Sequence, residues 1–342
     1  MFYMRLERKQ TELEDRPLPQ SVREVKWFGG DQSASMFNQI RLIPSLRRAI
    51  KKIKPDLIHA GPLQSCAFMV ALTGFQPLVS MSWGYDLLLD ANRNIFWEKT
   101  TEFTLRRSSR LITDCLTLNQ VAHQFRVPDA KIVTFPYGID LDQFTPAEYP
   151  PGNGDQFTLL STRSLESIYG VDILARAFVK AAHQNPRLNL IQLGTGSLAA
   201  ELRSIFNRGG VMERVLLPGQ QTQKDLPQFY NRADVYISTS HIDGSSVSLM
   251  EALACGRPVL VSDIPGNREW IEPGVQGWWF TDGDVDELAR AILSAADQPH
   301  VLVKMSHEAR KLAEKRANWD KNFPLLLEAY QAALGNGRNL NG

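Results

Sequence analysis

The sequence has few cysteines, and they are spread too widely to form a metal site or a disulfide framework. Its 342 residues include only Cys66, Cys115 and Cys255, with no CxxC spacing. Zinc sites and disulfide scaffolds need several cysteines at short or regular spacings. The sequence therefore predicts neither, and it fits a reducing, cytoplasmic compartment.

Long apolar runs and an excess of one charge are also missing. No stretch approaches the roughly 18 consecutive apolar residues of a membrane-spanning helix, and charges within the first ten residues interrupt the pattern of a signal peptide. The 38 basic and 37 acidic residues leave a formal net charge of +1. Nucleic acid is therefore not an expected partner, because binding it relies on a basic surface.

Short β-branched runs alternate with segments of helical spacing, which predicts an α/β fold with doubly wound parallel sheets. The region 145–156, TPAEYPPGNGDQ, is dense in proline and glycine and separates two such series. We therefore expect domains over residues 1–148 and 149–318, followed by a final segment, 319–342. Two Rossmann-like domains of this kind would face each other across a cleft, with ligands at the carboxyl ends of the strands.

The stretch Asp234–Ser262 concentrates the features of a ligand site. Val235–Ser238 predicts a buried strand, a polar turn with glycine follows, Val247–Ala254 has helical apolar spacing, and a second β-branched run comes next. This order predicts one strand–helix–strand unit of a parallel sheet. Two acids, Asp243 in the turn and Glu251 in the helix, mark its ligand-facing edge.

Seven segments have the order and spacing of a known family. In the second half they are STRSLESIYGVDILARAF, LGTGS, HIDGSSVSLMEALACGRPVLVSD and IPGNREWIEPGVQGWWFTDGDVDELARAI, and in the first half KPDLIHA, SWGYDLLL and FPYGIDLDQF. Together they resemble the retaining glycosyltransferases of family 4, which have the two-domain GT-B fold. The resemblance implies sugar transfer from a nucleotide-sugar donor to a glycan or lipid-linked acceptor, in polysaccharide or glycolipid synthesis. It also implies no cofactor and a last helix that crosses back to the first domain.

The resemblance also assigns roles to individual residues. Arg163 would contact the donor diphosphate, since a guanidinium suits phosphate, and Glu251 would hold the two ribose hydroxyls with its carboxylate oxygens. The amides at the start of the helix Val247–Ala254 would favour an anion. The implied donor-binding residues are Arg163, Tyr169, Gly194, Gly196, His241, Asp243, Ser245, Ser246, Val247 and Glu251, and the implied catalytic residues are Asp243, Arg163 and Asp86.

Four departures from the family pattern stand out. Tyr169 occupies the position of a phosphate-binding lysine, Asp243 that of a longer glutamate, and Trp83 that of a histidine found in many relatives. The family's opening strand, glycine-rich turn and helix are not seen ahead of Phe2. These departures keep two other functions open, a non-catalytic or partner-dependent nucleotide-binding remnant and, with less support, a nucleotide-sugar epimerase.

Several of these site residues also have a purely structural explanation. Arg163 and Glu251 fit a solvated strand end and helix face, Gly194 and Gly196 fit a plain turn, and His241 fits a surface loop. Ser245 or Ser246 fits an ordinary helix N-cap, a role compatible with anion binding. His59, at a strand end, is interpreted as a satisfied histidine rather than an acid or base.

A basic amphipathic segment, Arg41–Lys54, suggests peripheral contact with the inner face of a membrane. The alternative, which we favour, is a helix whose apolar face packs on the sheet and whose basic face is solvated.

Acid-x-acid triplets occur three times, but we expect no catalytic metal. Two of them begin a predicted helix, where acids act as caps and dipole partners, and the third lies in a loop. They are Asp140-Leu141-Asp142, Asp282-Gly283-Asp284 and Asp284-Val285-Asp286.

Overall fold

The computed structural model describes residues 1–6, 18–29, 36–147, 151–152 and 154–338. The chain forms two compact units. Unit 1 comprises Met1–Phe135 and Phe323–Gly342, and unit 2 comprises Pro136–Asn322. Both are built on parallel strands connected by helices, which confirms the predicted α/β class.

The first unit boundary lies earlier than the sequence predicts. It falls after Phe135 rather than after residue 148, which is outside the described residues. The segment that follows packs with unit 2, where Phe144 is fully buried. The side-chain amide of Gln143 also donates to the carbonyl of Gln223 at 2.6 Å. Most of the proline-rich stretch is therefore internal to unit 2.

Unit 1 contains a four-stranded parallel sheet, order β3-β4-β5-β6, and a separate parallel pair, β1-β2. Its strands are β1 (Phe2–Tyr3), β2 (Arg23–Glu24), β3 (Ile58–Ala60), β4 (Leu78–Met81), β5 (Arg110–Thr113) and β6 (Ile132–Thr134). Its helices are α1 (Met36–Ile53), α2 (Phe68–Thr73), α3 (Tyr85–Leu88), α4 (Ile95–Arg107), α5 (Leu116–Gln124) and, from Phe323 onward, α13 (Trp319–Arg338).

Helix α1 packs part of its apolar face into the core of unit 1. Leu42 and Leu46 are buried in a cluster with Met69 and Leu78. The basic side chains of the helix, by contrast, are exposed: Arg41, Arg47, Arg48, Lys51 and Lys52. This arrangement agrees with the packed-helix alternative. Within the described part of the chain, no helix combines the length and the apolarity needed to cross a membrane.

Unit 2 is organised around a six-stranded parallel sheet with the order β12-β11-β10-β7-β8-β9. The strands are β7 (Phe157–Ser161), β8 (Leu188–Leu193), β9 (Val215–Gly219), β10 (Val235–Ser238), β11 (Val259–Ser262) and β12 (Gly277–Phe280). The helices are α6 (Val171–Gln184), α7 (Ala199–Arg208), α8 (Leu226–Arg232), α9 (Val247–Ala254), α10 (Pro265–Arg268), α11 (Val285–Ala296) and α12 (Pro299–Arg316).

Both faces of the unit 2 sheet are covered, because successive strand residues enter different cores. Leu159 and Val235 belong to one cluster, whereas their chain neighbours Leu160 and Tyr236 belong to the other. Strands buried on both faces have nearly continuous apolar sequences. This explains why the short apolar run Val235–Ser238 predicted β10 with the observed bounds.

The sequence analysis did not predict β12, the edge strand after α10. Its first residue, Gly277, pairs with Val259 of β11. A Cβ atom at Gly277 would overlap the backbone of Val259, so only glycine fits at this point of the sheet. The sequence GWWF forms a strand although Trp278 and Trp279 are only half-buried.

The order of the strands places a topological switch point between β7 and β10. From β7 the chain proceeds outward to β8 and β9, and it then crosses to the other side of β7 to form β10, β11 and β12. In open parallel sheets, ligands bind outside the carboxyl ends of the strands at such a point.

Candidate active site

Arg163 lies just beyond the carboxyl end of β7 and is the centre of a cluster at the switch point. Its Nη1 donates to Ser246 Oγ at 2.8 Å and to Ser248 Oγ at 3.0 Å. Its Nη2 lies 2.8 Å from Asp243 Oδ2. Its guanidinium carbon lies 4.1 Å from the ring centre of Tyr169. The structure therefore brings together four predicted residues and one that the sequence analysis missed, Ser248.

The cluster is buried and contains one positive and one negative side chain. The side chains of Arg163 and Asp243 are 11% and 19% exposed. Burial lowers the pKa of Arg163, but the negative charge of Asp243 raises it, and the net pKa lies above its usual value. Arg163 is therefore cationic at any physiological pH.

Tyr169 is presented to Arg163 by a turn that requires glycine. Gly170 follows it with φ of 57°, and a Cβ atom there would overlap the carbonyl oxygen of Thr239. Thr239 Oγ1 donates to the Tyr169 carbonyl at 2.9 Å, and the amide of His241 donates to the Ile168 carbonyl at 3.0 Å. These bonds join the loop after β7 to the loop after β10.

His241 extends this loop contact to a third element. Its Nδ1 lies 2.7 Å from Asp282 Oδ1, in the segment between β12 and α11. The histidine is about one-third exposed, so its surface-loop interpretation and its predicted donor contact are both compatible with the geometry. Asp282 is a second residue that sequence reasoning did not connect to the site, since it had been considered only as part of an acidic triplet.

Glu251 is buried inside α9 and is fixed by two side chains. Its Oε2 accepts a hydrogen bond from the phenol of Tyr230 at 2.8 Å, and its Oε1 accepts one from Gln223 Nε2 at 3.3 Å. Burial and the charge of Glu251 raise the pKa of Tyr230 well above its usual value, so this phenol keeps its proton. The solvated-helix alternative is therefore wrong for Glu251, which is 4% exposed.

The start of α9 shows how the serines are used. Ser246 occupies the N-cap position but makes no side-chain bond to the helix amides within the described residues. Its Oγ instead accepts from Arg163, while Ser245 Oγ accepts from the indole of Trp270 at 2.9 Å. Val247, the first helical residue, is 45% exposed. The positive end of the helix dipole therefore lies next to the guanidinium, at a point that favours anions.

Gly194 and Gly196 lie beyond the end of β8 and pack against the Arg163 loop. A Cβ atom on Gly194 would contact the Arg163 carbonyl at 2.8 Å, and one on Gly196 would overlap the Leu165 carbonyl. Gly194 also has a φ of 92°. Close backbone packing is sufficient to explain both glycines, and their contact with a ligand stays a prediction.

Asp86 belongs to unit 1 and ties together the loop after β4. Its buried carboxylate accepts hydrogen bonds from the Ser82 hydroxyl at 2.6 Å and from the amides of Leu63, Trp83 and Leu87 at 2.9 to 3.0 Å. Burial raises the pKa of Asp86, and these hydrogen bonds oppose that rise. The geometry gives Asp86 a structural role, and its predicted catalytic role remains a prediction.

His59, at the end of β3, is paired through one ring nitrogen. Its Nδ1 lies 2.7 Å from the hydroxyl of Tyr330 in α13. Burial lowers the pKa of His59 to about 4, so the imidazole is neutral near pH 7. Its buried Nε2 has no hydrogen-bond partner among the described residues. The prediction of a satisfied histidine is thus met at Nδ1 only.

The acid triplets serve local backbone geometry. Asp284 caps α11 by accepting from the amides of Asp286 and Glu287 at 2.9 Å, as predicted. Asp140 accepts from the amides of Asp142 and Gln143 at 3.0 Å. No group of three or more metal-ligating side chains occurs among the residues that the structure describes. The expectation of a metal-free site stays a prediction.

Two family models match separate parts of the sequence. Residues 148–316 match the family model described as glycosyl transferases group 1, and residues 9–115 match the model described as glycosyl transferase 4-like.

Curated relatives, among them the following two, match parts of the chain. The D-inositol 3-phosphate glycosyltransferase of Saccharomonospora viridis is 27% identical over 222 residues, 60% of this chain and 51% of the relative. The amylovoran biosynthesis glycosyltransferase AmsK of Erwinia amylovora is 28% identical over 166 residues, 47% of this chain and 41% of the relative. The chain thus spans about half, or less, of the length of these relatives.

A solved structure of similar fold is the Anabaena protein HepE, determined in complex with UDP and glucose. It matches with a TM-score of 0.77 at 20% identity, over 91% of this chain and 86% of HepE. At 20% identity, the match shows the fold alone. This structural similarity confirms the predicted GT-B class.

Proposed function

The chain belongs to the glycosyl transferases of group 1, of the family-4 type. From this we propose that it transfers a sugar from a nucleotide-sugar donor to a glycan or lipid-linked acceptor. The observation that supports this most is the cluster at the switch point of unit 2. There, a buried cation, Arg163, and a helix start lie beside each other, and α9 holds the buried carboxylate Glu251. A nucleotide sugar needs an anion site for its diphosphate and acceptors for its ribose hydroxyls.

The proposed donor is a UDP-sugar, since HepE was solved with UDP and glucose. Glu251, fixed by Tyr230 and Gln223, would accept hydrogen bonds from the two ribose hydroxyls. Arg163 and the amides at the start of α9 would bind the diphosphate, and Asp243 would bind the sugar hydroxyls. The site uses charge-assisted hydrogen bonds, which are roughly twice as strong as neutral ones.

We propose a retaining reaction that needs no strong protein base. The bond between the anomeric carbon and the diphosphate oxygen breaks, and the acceptor oxygen bonds to the same face of the sugar. The acceptor proton passes to the leaving diphosphate oxygen. Arg163 and the helix dipole stabilise the negative charge that develops on the leaving group, which is the kind of term that dominates many enzymatic accelerations.

The acceptor would bind at the carboxyl edge of the unit 1 sheet. Trp83 and Tyr85 follow β4, and these residues are 54% and 37% exposed. Asp86 holds the loop that carries them. Exposed aromatic rings on a rigid loop suit the apolar face of a sugar ring, and AmsK, by its name, acts in amylovoran biosynthesis.

The proposed function is tested by offering UDP-, GDP- and ADP-sugars to the purified chain. We expect a UDP-sugar to raise the melting temperature and to be consumed by transfer or hydrolysis. The rate should be unchanged by EDTA, and a loss that a divalent ion restores would contradict the metal-free mechanism. Binding without turnover would support the remnant, and conversion of the free donor would support the epimerase.

Although the apolar face of α1 packs inside unit 1, its basic face stays exposed, and we propose that this face contacts an anionic membrane on the cytoplasmic side, where a lipid-linked acceptor would be held. Changing Lys51 and Lys52 to glutamine should weaken binding to phosphatidylglycerol vesicles about 30-fold, because each basic side chain near such a surface contributes about 1 kcal/mol and the two together about 2 kcal/mol. Co-sedimentation measures this, and the same change at Arg203 and Arg208 in unit 2 is the matched control. Equal binding to phosphatidylcholine vesicles would disprove the contact.

A further inference from the structure

The cation proposed to bind the donor diphosphate is already paired with an acid of the same site. Asp243 Oδ2 lies 2.8 Å from Arg163 Nη2. The pair contributes no net charge, and the stacked ring of Tyr169 adds none. The diphosphate of a nucleotide sugar would therefore meet a neutral cluster, with the helix dipole of α9 as the remaining positive element.

The contact between Asp243 and Arg163 is the part of the cluster that can be exchanged. Asp243 Oδ2 forms no well-aligned hydrogen bond among the described residues, and neither does Arg163 Nε, although both atoms are buried. A phosphate oxygen has the same chemistry as the carboxylate and would occupy the same donors. Two anions on one guanidinium repel each other, so phosphate and carboxylate compete for it.

The remaining contacts hold Arg163 in place whichever anion it binds. Nη1 keeps its bonds to Ser246 and Ser248, and Ser248 Oγ in turn accepts from the Tyr236 hydroxyl at 2.8 Å. The ring of Tyr169 covers the guanidinium at 4.1 Å, a distance at which a buried cation–π contact is substantial. The carboxylate of Asp243 can therefore move away while the guanidinium of Arg163 keeps its position.

We propose that a nucleoside diphosphate displaces the carboxylate of Asp243 from Arg163. The released carboxylate then binds the hydroxyls of the donor sugar and so contributes to sugar specificity. Tyr169 is the positioning residue that keeps the guanidinium in place during the exchange. The inference rests on the proposed function. It adds that diphosphate binding and sugar recognition are coupled, because Asp243 reaches the sugar only after the diphosphate has bound.

Asp243→Asn separates the two steps. Removing the competing carboxylate should tighten the binding of UDP about tenfold, whereas UDP-glucose should gain less, because its sugar loses an acceptor. Calorimetric Kd values for UDP and UDP-glucose measure both effects, with GDP and ADP pairs if the base differs. Asp286→Asn is the matched control, since it removes one carboxylate from an exposed pair with Lys180 and should change neither Kd.

The positioning role of Tyr169 has its own readout. Tyr169→Ala should weaken UDP binding several-fold, and Tyr169→Phe should recover most of that loss because the ring alone covers the guanidinium. If Asp243→Asn binds UDP no more tightly than the unaltered chain, the exchange is disproved. If the unaltered chain binds none of the three nucleoside diphosphates, it is the proposed function that fails.

Discussion

Replacing Glu251 with glutamine is expected to lower the affinity for the donor about 100-fold, which corresponds to about 2.7 kcal/mol. The carboxylate would lose its charge and half of its acceptor capacity towards the ribose hydroxyls. Its position would change little, because an amide oxygen can still accept from the Tyr230 phenol that now lies 2.8 Å away. The effect should appear equally in calorimetric Kd values for UDP and in kcat/KM for transfer.

The control for this change is Glu213→Gln, which alters the charge of an exposed glutamate in the same unit. It should leave UDP affinity and the melting temperature as they are. Full UDP affinity in the Glu251→Gln protein would refute the ribose assignment, whereas a large fall in melting temperature would show that the glutamate is needed mainly for folding.

Replacing Arg163 with methionine should cost about 3 kcal/mol of unfolding free energy, because it leaves the mostly buried Asp243 without its cation. Transfer should fall below detection, since the same change removes the proposed phosphate contact. Urea unfolding monitored by tryptophan fluorescence measures the stability, and donor consumption measures the activity.

The double change of Arg163→Met with Asp243→Asn separates these two effects. It should restore much of the stability, because no unpaired charge remains, while transfer stays absent. Equal stability of Arg163→Met and the unaltered chain would show that the ion pair contributes nothing to folding. Recovery of transfer in the double variant would remove Arg163 from the mechanism.

The sequence predicted the elements of unit 2 well where burial is complete. Strands such as β7 and β10 are short apolar runs closed by polar turns, and α9 shows clear helical spacing. It failed at β12, which begins with a glycine required by its neighbour's backbone. Local sequence patterns indicate which residues are buried and whether their spacing is helical or extended. They do not indicate how closely the backbones of two strands approach each other.

The site was predictable as a set of residues but not as an arrangement. Motif order identified Arg163, Asp243 and Glu251, which the structure places in buried positions around α9. It could not indicate that Arg163 pairs with Asp243 or stacks on Tyr169, because these contacts depend on loop conformations and side-chain rotamers. Tyr230, which donates to Glu251, belongs to no recognised motif. The sequence indicated such a partner only indirectly, because Glu251 is a charged residue in the otherwise apolar helix α9.

The assignment of α13 to unit 1 has a consequence for how the protein is made. Unit 2 is continuous in sequence, whereas unit 1 combines the first part of the chain with residues after Phe323. On the ribosome, where domains fold as they emerge, unit 2 has all of its residues before unit 1 does. Until synthesis reaches Tyr330, the hydroxyl that pairs with His59 is missing, so unit 1 is completed after unit 2.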